Sequence, residues 1–172
     1  MTSNVPADGR IIGSLRSVDG MGVVQIAARF DTDIDDVWSA LTDPTRLVRW
    51  LGELEGDLRA GGEFSARFFA TGWEGTCRVE ACEAPRRLLV LTKSSDEPDC
   101  VIEATLSVDG MQTILVVEDC GLPLEQIAAY GAGDQVLIED LTAHLAGHER
   151  CDARARWQAL HPSYQGLASS LT

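Results

Sequence analysis

Polar and apolar residues alternate at the start of the chain, which is the pattern of half-buried β-strands. Arg10–Val18 alternates weakly, and Val23–Phe30 places an apolar side chain at every second position on one face. Asp19-Gly20 lies between them and favours a tight hairpin turn. We therefore predict an N-terminal β-hairpin, preceded by a loose tail over residues 1–8.

Two segments with helical spacing follow the hairpin. Thr32 or Asp33 can cap a first short helix, whose apolar residues recur at helical intervals up to Leu41. Asp43-Pro44 starts a second short helix, because proline at the first helical position loses no hydrogen bond. The sequence thus predicts two short helices after the first strands.

From Leu54 onward the period returns to two, and several more strands are predicted. Their segments are Glu63–Phe68, Gly72–Cys82, Leu88–Thr92, Cys100–Val108 and Thr113–Asp119. Short turns such as Asp109-Gly110 separate them, so neighbouring strands are expected to run antiparallel as a meander.

One long helix is predicted between Gly131 and Gly147, with Asp134 as its N-cap and Gly147 in the left-handed turn that ends it. Its apolar stripe consists of Leu137, Leu141, His144 and Leu145. A stripe this narrow must pack against another layer. The fold class is therefore α+β, with a curved antiparallel sheet closed over one late helix. Asp152–Leu160 is predicted as a short helix that stops before Pro162.

Composition narrows the range of partners. The 172 residues carry 27 acidic and 14 basic side chains, a formal net charge of −13. Nucleic acid and anionic membrane surfaces repel such a protein, and the sequence contains no apolar run of roughly 20 residues that would cross a bilayer. The N-terminus shows no signal peptide, and an odd number of cysteines without CxxC spacing predicts reduced thiols in the cytoplasm.

Familiar catalytic and metal-binding motifs are missing from the sequence. There is no GxSxG elbow, and Cys77 is placed on the inner strand face as a small buried hydrophobe. His144 and His148 have HxxxH spacing, but the helix end at Gly147 separates their faces, so we expect no metal. The glycine pairs lack the spacing of a nucleotide-binding loop, and no cofactor is expected.

Several ordered motifs resemble one known family. Val37–Pro44 resembles its VWxALTDP motif, Leu47–Trp50 its LxxW motif and Asp57–Phe64 its GDLRxGGxF motif. Further matches are Pro85–Leu88, Thr113–Leu115 and Tyr130–Gly133. Residues 9–147 resemble the branch of the START-like (SRPBCC) superfamily that is related to the activator of Hsp90 ATPase C-terminal domain. Residues 148–172 form a C-terminal extension outside this resemblance.

The resemblance implies a helix-grip fold with an apolar cavity between the sheet and the C-terminal helix. The side chains expected to bind a ligand there are Trp50, Phe64, Phe68, Trp73, Cys77, Ile102, Leu106, Asp119, Tyr130, Gln135, Leu137 and Leu141. Family members often carry tryptophan where Asp134 and Gln135 stand, and histidine where Asp119 stands. Because of these differences, a relative's ligand is not assigned to this chain.

Asp119 is the candidate for proton transfer, because it shares a strand face with Thr113, Leu115 and Val117. The alternatives are that Asp119 caps the turn at Gly121, or that Glu118 is the residue that faces inward.

The superfamily includes lipid and hormone carriers, polyketide cyclases and aromatases, and co-chaperone-like domains, so three functions remain. The first is a module that binds a small hydrophobic or aromatic ligand. The second is a polyketide cyclase or aromatase with Asp119 as its catalytic residue. The third is a protein-interaction domain like the Hsp90 activator, with a chaperone as partner. The C-terminal extension could cover the cavity or form a homodimer.

Overall fold

A computed structural model describes residues 11–95 and 99–171 of the chain. Eight strands form one sheet. They are β1 (Gly13–Val18), β2 (Met21–Phe30), β3 (Gly52–Gly56), β4 (Glu63–Phe68), β5 (Glu74–Glu83), β6 (Arg87–Lys93), β7 (Cys100–Asp109) and β8 (Gln112–Leu122). The helices are α1 (Ile34–Thr42), α2 (Pro44–Trp50), α3 (Ile127–Leu145) and α4 (Ala153–Ala168), with short 3₁₀ turns at Leu124–Gln126 and Ser169–Leu171. The predicted tail over residues 1–8 lies outside the described residues.

The sheet has the order β1-β2-β8-β7-β6-β5-β4-β3, and all of its neighbouring strands are antiparallel. The predicted hairpin is present, and Asp19 and Gly20 both have positive φ, 52° and 81°, as a tight hairpin turn requires. β8 pairs with β2, which joins the hairpin to the meander. The α+β helix-grip fold predicted from the sequence is therefore confirmed, with β3 as an additional strand.

Side-chain caps fix the two short helices where the sequence predicted them. Asp33 accepts a hydrogen bond from the backbone N–H of Asp36 at 2.9 Å. Asp43 accepts one from the N–H of Thr45, also at 2.9 Å, directly before Pro44. These bonds satisfy amide groups that the helices leave unpaired at their first turns.

The prediction that Asp134 caps the long helix is wrong. α3 begins at Ile127, so Asp134 lies in its third turn. Gly131 and Gly133 both lie within this helix, where Gly131 packs against Tyr164 of α4 and Gly133 lies beside Thr71 of the turn between β4 and β5. Its predicted end is correct: Gly147 has a φ of +80°, and the N–H of His148 bonds to the carbonyl of Ala143 at 2.7 Å.

α4 is longer than the sequence predicted, because it continues through Pro162 to Ala168. Proline removes one helical hydrogen bond, but Leu160 and Tyr164 on either side of it are fully buried. α4 packs along α3, and both residues belong to the main hydrophobic core. The boundary between residues 9–147 and 148–172 stays a prediction.

α3 is enclosed between the sheet and α4, so nearly all of its middle turns are buried. One side meets the sheet, where Val136 and Leu141 join core residues of β2 and β8. The opposite side contacts α4 through Gly131, Gln135 and Glu139. A third stripe faces a cavity, which is described next.

Candidate functional site

A cavity opens between α3, α4 and the inner face of the sheet. The stripe of α3 that borders it contains residues at intervals of three and four, which places them on one helix face. Within α3 these residues are Ala129, Tyr130, Gly133, Asp134 and Leu137, and Gln126 of the preceding 3₁₀ turn borders the cavity beside them. The cavity has two adjoining chambers, here called the larger and the smaller chamber.

The larger chamber has a volume of about 720 Å³. Its sheet side is formed by the turn between β4 and β5 together with strands β6 to β8, and its other walls by α3 and the first two turns of α4. Phe68 and Trp73 stand against each other in this wall, with ring centroids 5.1 Å apart and planes at 33°. This is an aromatic surface of the kind on which flat ligands pack.

α4 holds its part of the wall through Trp157. The indole N–H of Trp157 donates to the carbonyl of Ala129 at 3.1 Å, and its ring stacks on His161 at 4.2 Å. Arg150 precedes α4 and contacts a second residue that lines the chamber. Its guanidinium lies 4.1 Å from the ring centroid of Phe69. The C-terminal extension therefore supplies side chains to the cavity in addition to its core contacts.

The smaller chamber has a volume of about 150 Å³ and an almost entirely apolar lining. It is enclosed by α1 and α2, part of α3, the strand β3 and the inner faces of β4 to β8. Trp50 is part of this wall and donates its indole N–H to the carbonyl of Ala40 at 2.9 Å. A cavity of this size and polarity accepts an apolar group about as large as benzene.

Six side chains line both chambers, and together they are called the junction. They are Phe68, Thr92, Ile102, Asp119, Asp134 and Leu137. Only three of them are polar, and Thr92 already donates its hydroxyl to the carbonyl of Cys100 at 3.3 Å. The two aspartates are therefore the ionisable groups of the junction.

Asp119 lies in β8 with its side chain on the inner face, as its spacing from Leu115 indicated. Only 5% of it is exposed. Glu118 takes the outer face, where its carboxylate bonds to Arg16 at 2.8 Å and to Gln25 at 2.9 Å. Arg16 lowers the pKa of Glu118 by this hydrogen bond, which outweighs the opposing effect of partial burial.

Asp134 faces Asp119 across the junction, and the two side chains are hydrogen-bonded. Burial raises the pKa of Asp134 well above its usual range, and the charge of Asp119 and their hydrogen bond raise it further. Oδ2 of Asp134 is buried and has no hydrogen-bond partner among the residues that the structure describes. The setting of the pair therefore favours the protonated form of Asp134.

Most of the residues expected to bind a ligand border one of the two chambers. Phe68, Ile102, Asp119 and Leu137 border both, Trp73 and Tyr130 the larger, and Trp50, Phe64 and Cys77 the smaller. Burial raises the pKa of Cys77 to about 12, so its thiol stays protonated and acts as a small apolar group.

Leu106, Gln135 and Leu141 border neither of these two chambers, contrary to expectation. Leu106 of β7 and Leu141 of α3 are instead packed in the main hydrophobic core. Gln135 points to the other side of α3. There it accepts hydrogen bonds from the hydroxyl of Tyr164 at 2.6 Å and the N–H of Ile12 at 3.0 Å.

Two parts of the site escaped the sequence analysis. Asp134 precedes Leu137 by three positions, so the helical spacing alone could have placed it on the same stripe. The wall from α4, with Trp157 and Gln158, carries no comparable signal, because its contacts with α3 join residues far apart in the chain.

Residues 11–95 and 99–171 contain no group of three or more side chains suited to hold a metal ion. His144 instead accepts a hydrogen bond from Nε of Arg46 at 3.1 Å. Burial lowers the pKa of His144, and the charges of Arg46 and Arg49 lower it further. No helix of the described chain is long and apolar enough to span a membrane.

Solved structures with the same fold include the crystal structure of CalU16 from Micromonospora echinospora. It is 27% identical, with a TM-score of 0.76 over 91% of this chain and 96% of CalU16. DynU16, a protein of the dynemicin biosynthetic locus, is 26% identical with a TM-score of 0.68; the match covers 77% of this chain and 49% of DynU16. A Bordetella parapertussis protein, BPP1335, shares the fold at 19% identity, with a TM-score of 0.70 over 96% of this chain and 94% of that protein.

No curated protein matches the sequence. Residues 31–146, more than half of the chain, match the family described as Activator of Hsp90 ATPase homolog 1-like protein. The matched region extends from just before α1 to the end of α3. This chain therefore belongs to the Activator of Hsp90 ATPase homolog 1-like family, with the START-like helix-grip fold.

Proposed function

We propose that this protein binds a small hydrophobic ligand in the cavity between its sheet and its C-terminal helices. The observation that carries the proposal is the larger chamber, whose volume of about 720 Å³ lies within the range of small-molecule sites. Its wall combines Phe68, Trp73, Tyr130 and Trp157, so it offers aromatic surface to a flat molecule.

The relatives support a small molecule as the ligand. DynU16 is a protein of the dynemicin biosynthetic locus, which links one relative to the biosynthesis of a compound. For this chain we propose an aromatic ligand that fits the larger chamber of about 720 Å³. Proton transfer by Asp119 stays a prediction.

Thermal unfolding with a panel of planar aromatic and polyketide-type compounds tests the proposal. A ligand that binds only the folded state stabilises it by about 2.7 kcal/mol at a free concentration one hundred times its Kd. We therefore expect at least one class of compound to raise Tm, and Trp73→Ala to reduce that rise by removing the stacking surface.

Trp38→Ala is the matched control, because Trp38 packs against the core and borders neither chamber. This variant should lower the starting Tm but keep the rise caused by the ligand. If the whole panel leaves Tm unchanged, the proposal is wrong. Equal loss of the rise in both variants would place binding outside the larger chamber.

A further inference from the structure

The junction holds a pair of hydrogen-bonded carboxyl groups inside an otherwise apolar wall. Asp119 comes from β8 and Asp134 from α3, and their neighbours at the junction include Phe68, Ile102 and Leu137. Buried carboxyl groups are costly, and proteins retain them where something binds or compensates them. At the junction, the proposed ligand can therefore reach a polar group that lies deep in the cavity.

The charge of the pair follows from its geometry. Two carboxylates in hydrogen-bond contact repel each other, so one proton stays with the pair at neutral pH. Burial, followed by the charge of Asp119, raises the pKa of Asp134 and keeps its carboxyl group protonated. The junction then carries a single buried negative charge.

The hydrogen-bonding groups of the pair define what a ligand must bring. The shared proton occupies the bond between the two side chains, so the oxygen that remains on the protonated group is an acceptor. Oδ2 of Asp134 is buried without a hydrogen-bond partner among the described residues. A ligand that donates a hydrogen bond and carries positive charge would satisfy both conditions.

We propose that the junction binds the ammonium group of a hydrophobic amine whose aromatic body occupies the larger chamber. This inference rests on the proposed function. The smaller chamber, at about 150 Å³, accepts a short apolar substituent on the same molecule. Arg154, an exposed residue, borders the larger chamber on the α4 side and does not line the junction.

Calorimetric titration at pH 7 with three matched probes tests the inference. The probes are 2-(2-naphthyl)ethylamine, the alcohol 2-(2-naphthyl)ethanol and the acid 3-(2-naphthyl)propionate, which share one aromatic body. We expect the amine to bind at least tenfold more tightly than the alcohol, and the acid to bind most weakly. This comparison uses the unaltered protein and does not depend on whether any variant folds.

Asparagine at both positions removes the charge and preserves the side-chain volume. In the double variant Asp119→Asn with Asp134→Asn, the amine should lose at least tenfold in affinity, while the alcohol keeps its affinity. Glu118→Gln is the control in β8, because its side chain lies on the opposite face. Asp140→Asn is the control in α3, because Asp140 is buried outside both chambers. Both controls should retain the preference for the amine.

The outcomes distinguish the ammonium site from the hydrophobic-ligand function on which it rests. If the alcohol binds as tightly as the amine, the ammonium site is wrong and the hydrophobic cavity stands. The ammonium site also falls if the double variant folds and keeps the amine preference. If none of the three probes binds, the hydrophobic-ligand function is contradicted for naphthalene-sized molecules, and the amine site falls with it.

Discussion

At the scale of single residues, the molecule treats its aspartates in opposite ways. Asp36 lies beside Arg46, whose guanidinium is 2.8 Å from its carboxylate, and also accepts a hydrogen bond from Thr32 at 2.7 Å. Partial burial opposes its ionisation, but these two bonds outweigh burial and lower the pKa of Asp36. Asp134 has an acidic neighbour instead, and its pKa is raised. One aspartate therefore stabilises the fold when ionised, and the other costs stability.

Asp134→Asn should increase stability at neutral pH. Because the pKa of Asp134 is raised in the folded state, the folded protein binds more protons than the unfolded chain above a pH of about 3.9. Stability therefore falls as pH rises from that value through the raised pKa. The variant removes this fall, so its free energy of unfolding should exceed that of the parent at pH 7, by on the order of 1 kcal/mol or more, and equal it near pH 3.

Urea unfolding of both proteins from pH 3 to pH 8 measures this difference. Asp36→Asn provides a control of opposite sign, since a lowered pKa gives stability that is present above the unfolded pKa and lost as pH falls through the folded one. That variant should lose up to about 1 kcal/mol at pH 7, because its ion pair is partly exposed. If Asp134→Asn lowers the free energy of unfolding at pH 7, the raised pKa assigned to Asp134 is wrong.

At the scale of elements, α3 depends on small residues for its close approach to α4. A Cβ atom added at Gly131 would lie 2.6 Å from Cδ1 of the Tyr164 ring, and this ring is fully buried. Gly166 in α4 has no atom within 4 Å of an added Cβ. The two glycines thus have the same helical setting and opposite packing.

Gly131→Ala and Gly166→Ala should therefore have effects of opposite sign. Alanine favours a helix over glycine by about 1 kcal/mol, so Gly166→Ala is expected to stabilise the protein by up to that amount. At Gly131 the methyl group would overpack against Tyr164 and cost about 1–3 kcal/mol. Denaturant unfolding of the two variants makes the comparison, and stabilisation by both would show that α4 does not pack closely there.

The elements also show where sequence reasoning succeeds. The strands from β4 to β8, a cap at Thr32 or Asp33 and a helix start at Asp43-Pro44 were predicted because alternation and helix starts depend on near neighbours. The start of α3 was not predicted correctly, since an aspartate before an apolar run usually caps a helix. Here the turns before Asp134 are helical because Gly131 and Ala132 pack against other parts of the chain.

The same difference between near and distant neighbours explains which residues of the candidate site were predicted. Strand parity placed Asp119 on the inner face, and it placed Phe64 and Phe68 of β4 there as well. The partner of Gln135 is Tyr164, 29 positions away, and no local pattern indicates that contact. Sequence therefore predicted the sheet wall of the cavity better than its helical wall.

At the scale of the whole molecule, the C-terminal extension is joined to the core by a buried ion pair. Nε of Arg156 lies 2.7 Å from Glu139, a second guanidinium nitrogen lies 2.9 Å from the same carboxylate, and only 3% of the Glu139 side chain is exposed. Glu139 also accepts a hydrogen bond from Gln135 at 2.9 Å. α3 and α4 are thereby fixed in one orientation.

Arg156→Leu should destabilise the protein strongly, because it leaves the carboxylate of Glu139 buried without its cation. Removing one partner of a buried pair costs about 3–5 kcal/mol. Arg154→Leu, two positions earlier in the same helix and exposed, should change stability by less than about 0.5 kcal/mol. Adding Glu139→Gln to Arg156→Leu should recover part of the loss; equal unfolding midpoints for the two arginine variants would contradict the role of the pair.

The residues that match the family end at position 146, whereas Trp157 and Gln158 border the larger chamber from beyond that point. Substitutions in the C-terminal extension should therefore change which ligands the larger chamber accepts, while the sheet and α3 remain the same. Exchanging the C-terminal extension between relatives would be a route to proteins that share one scaffold and bind different ligands.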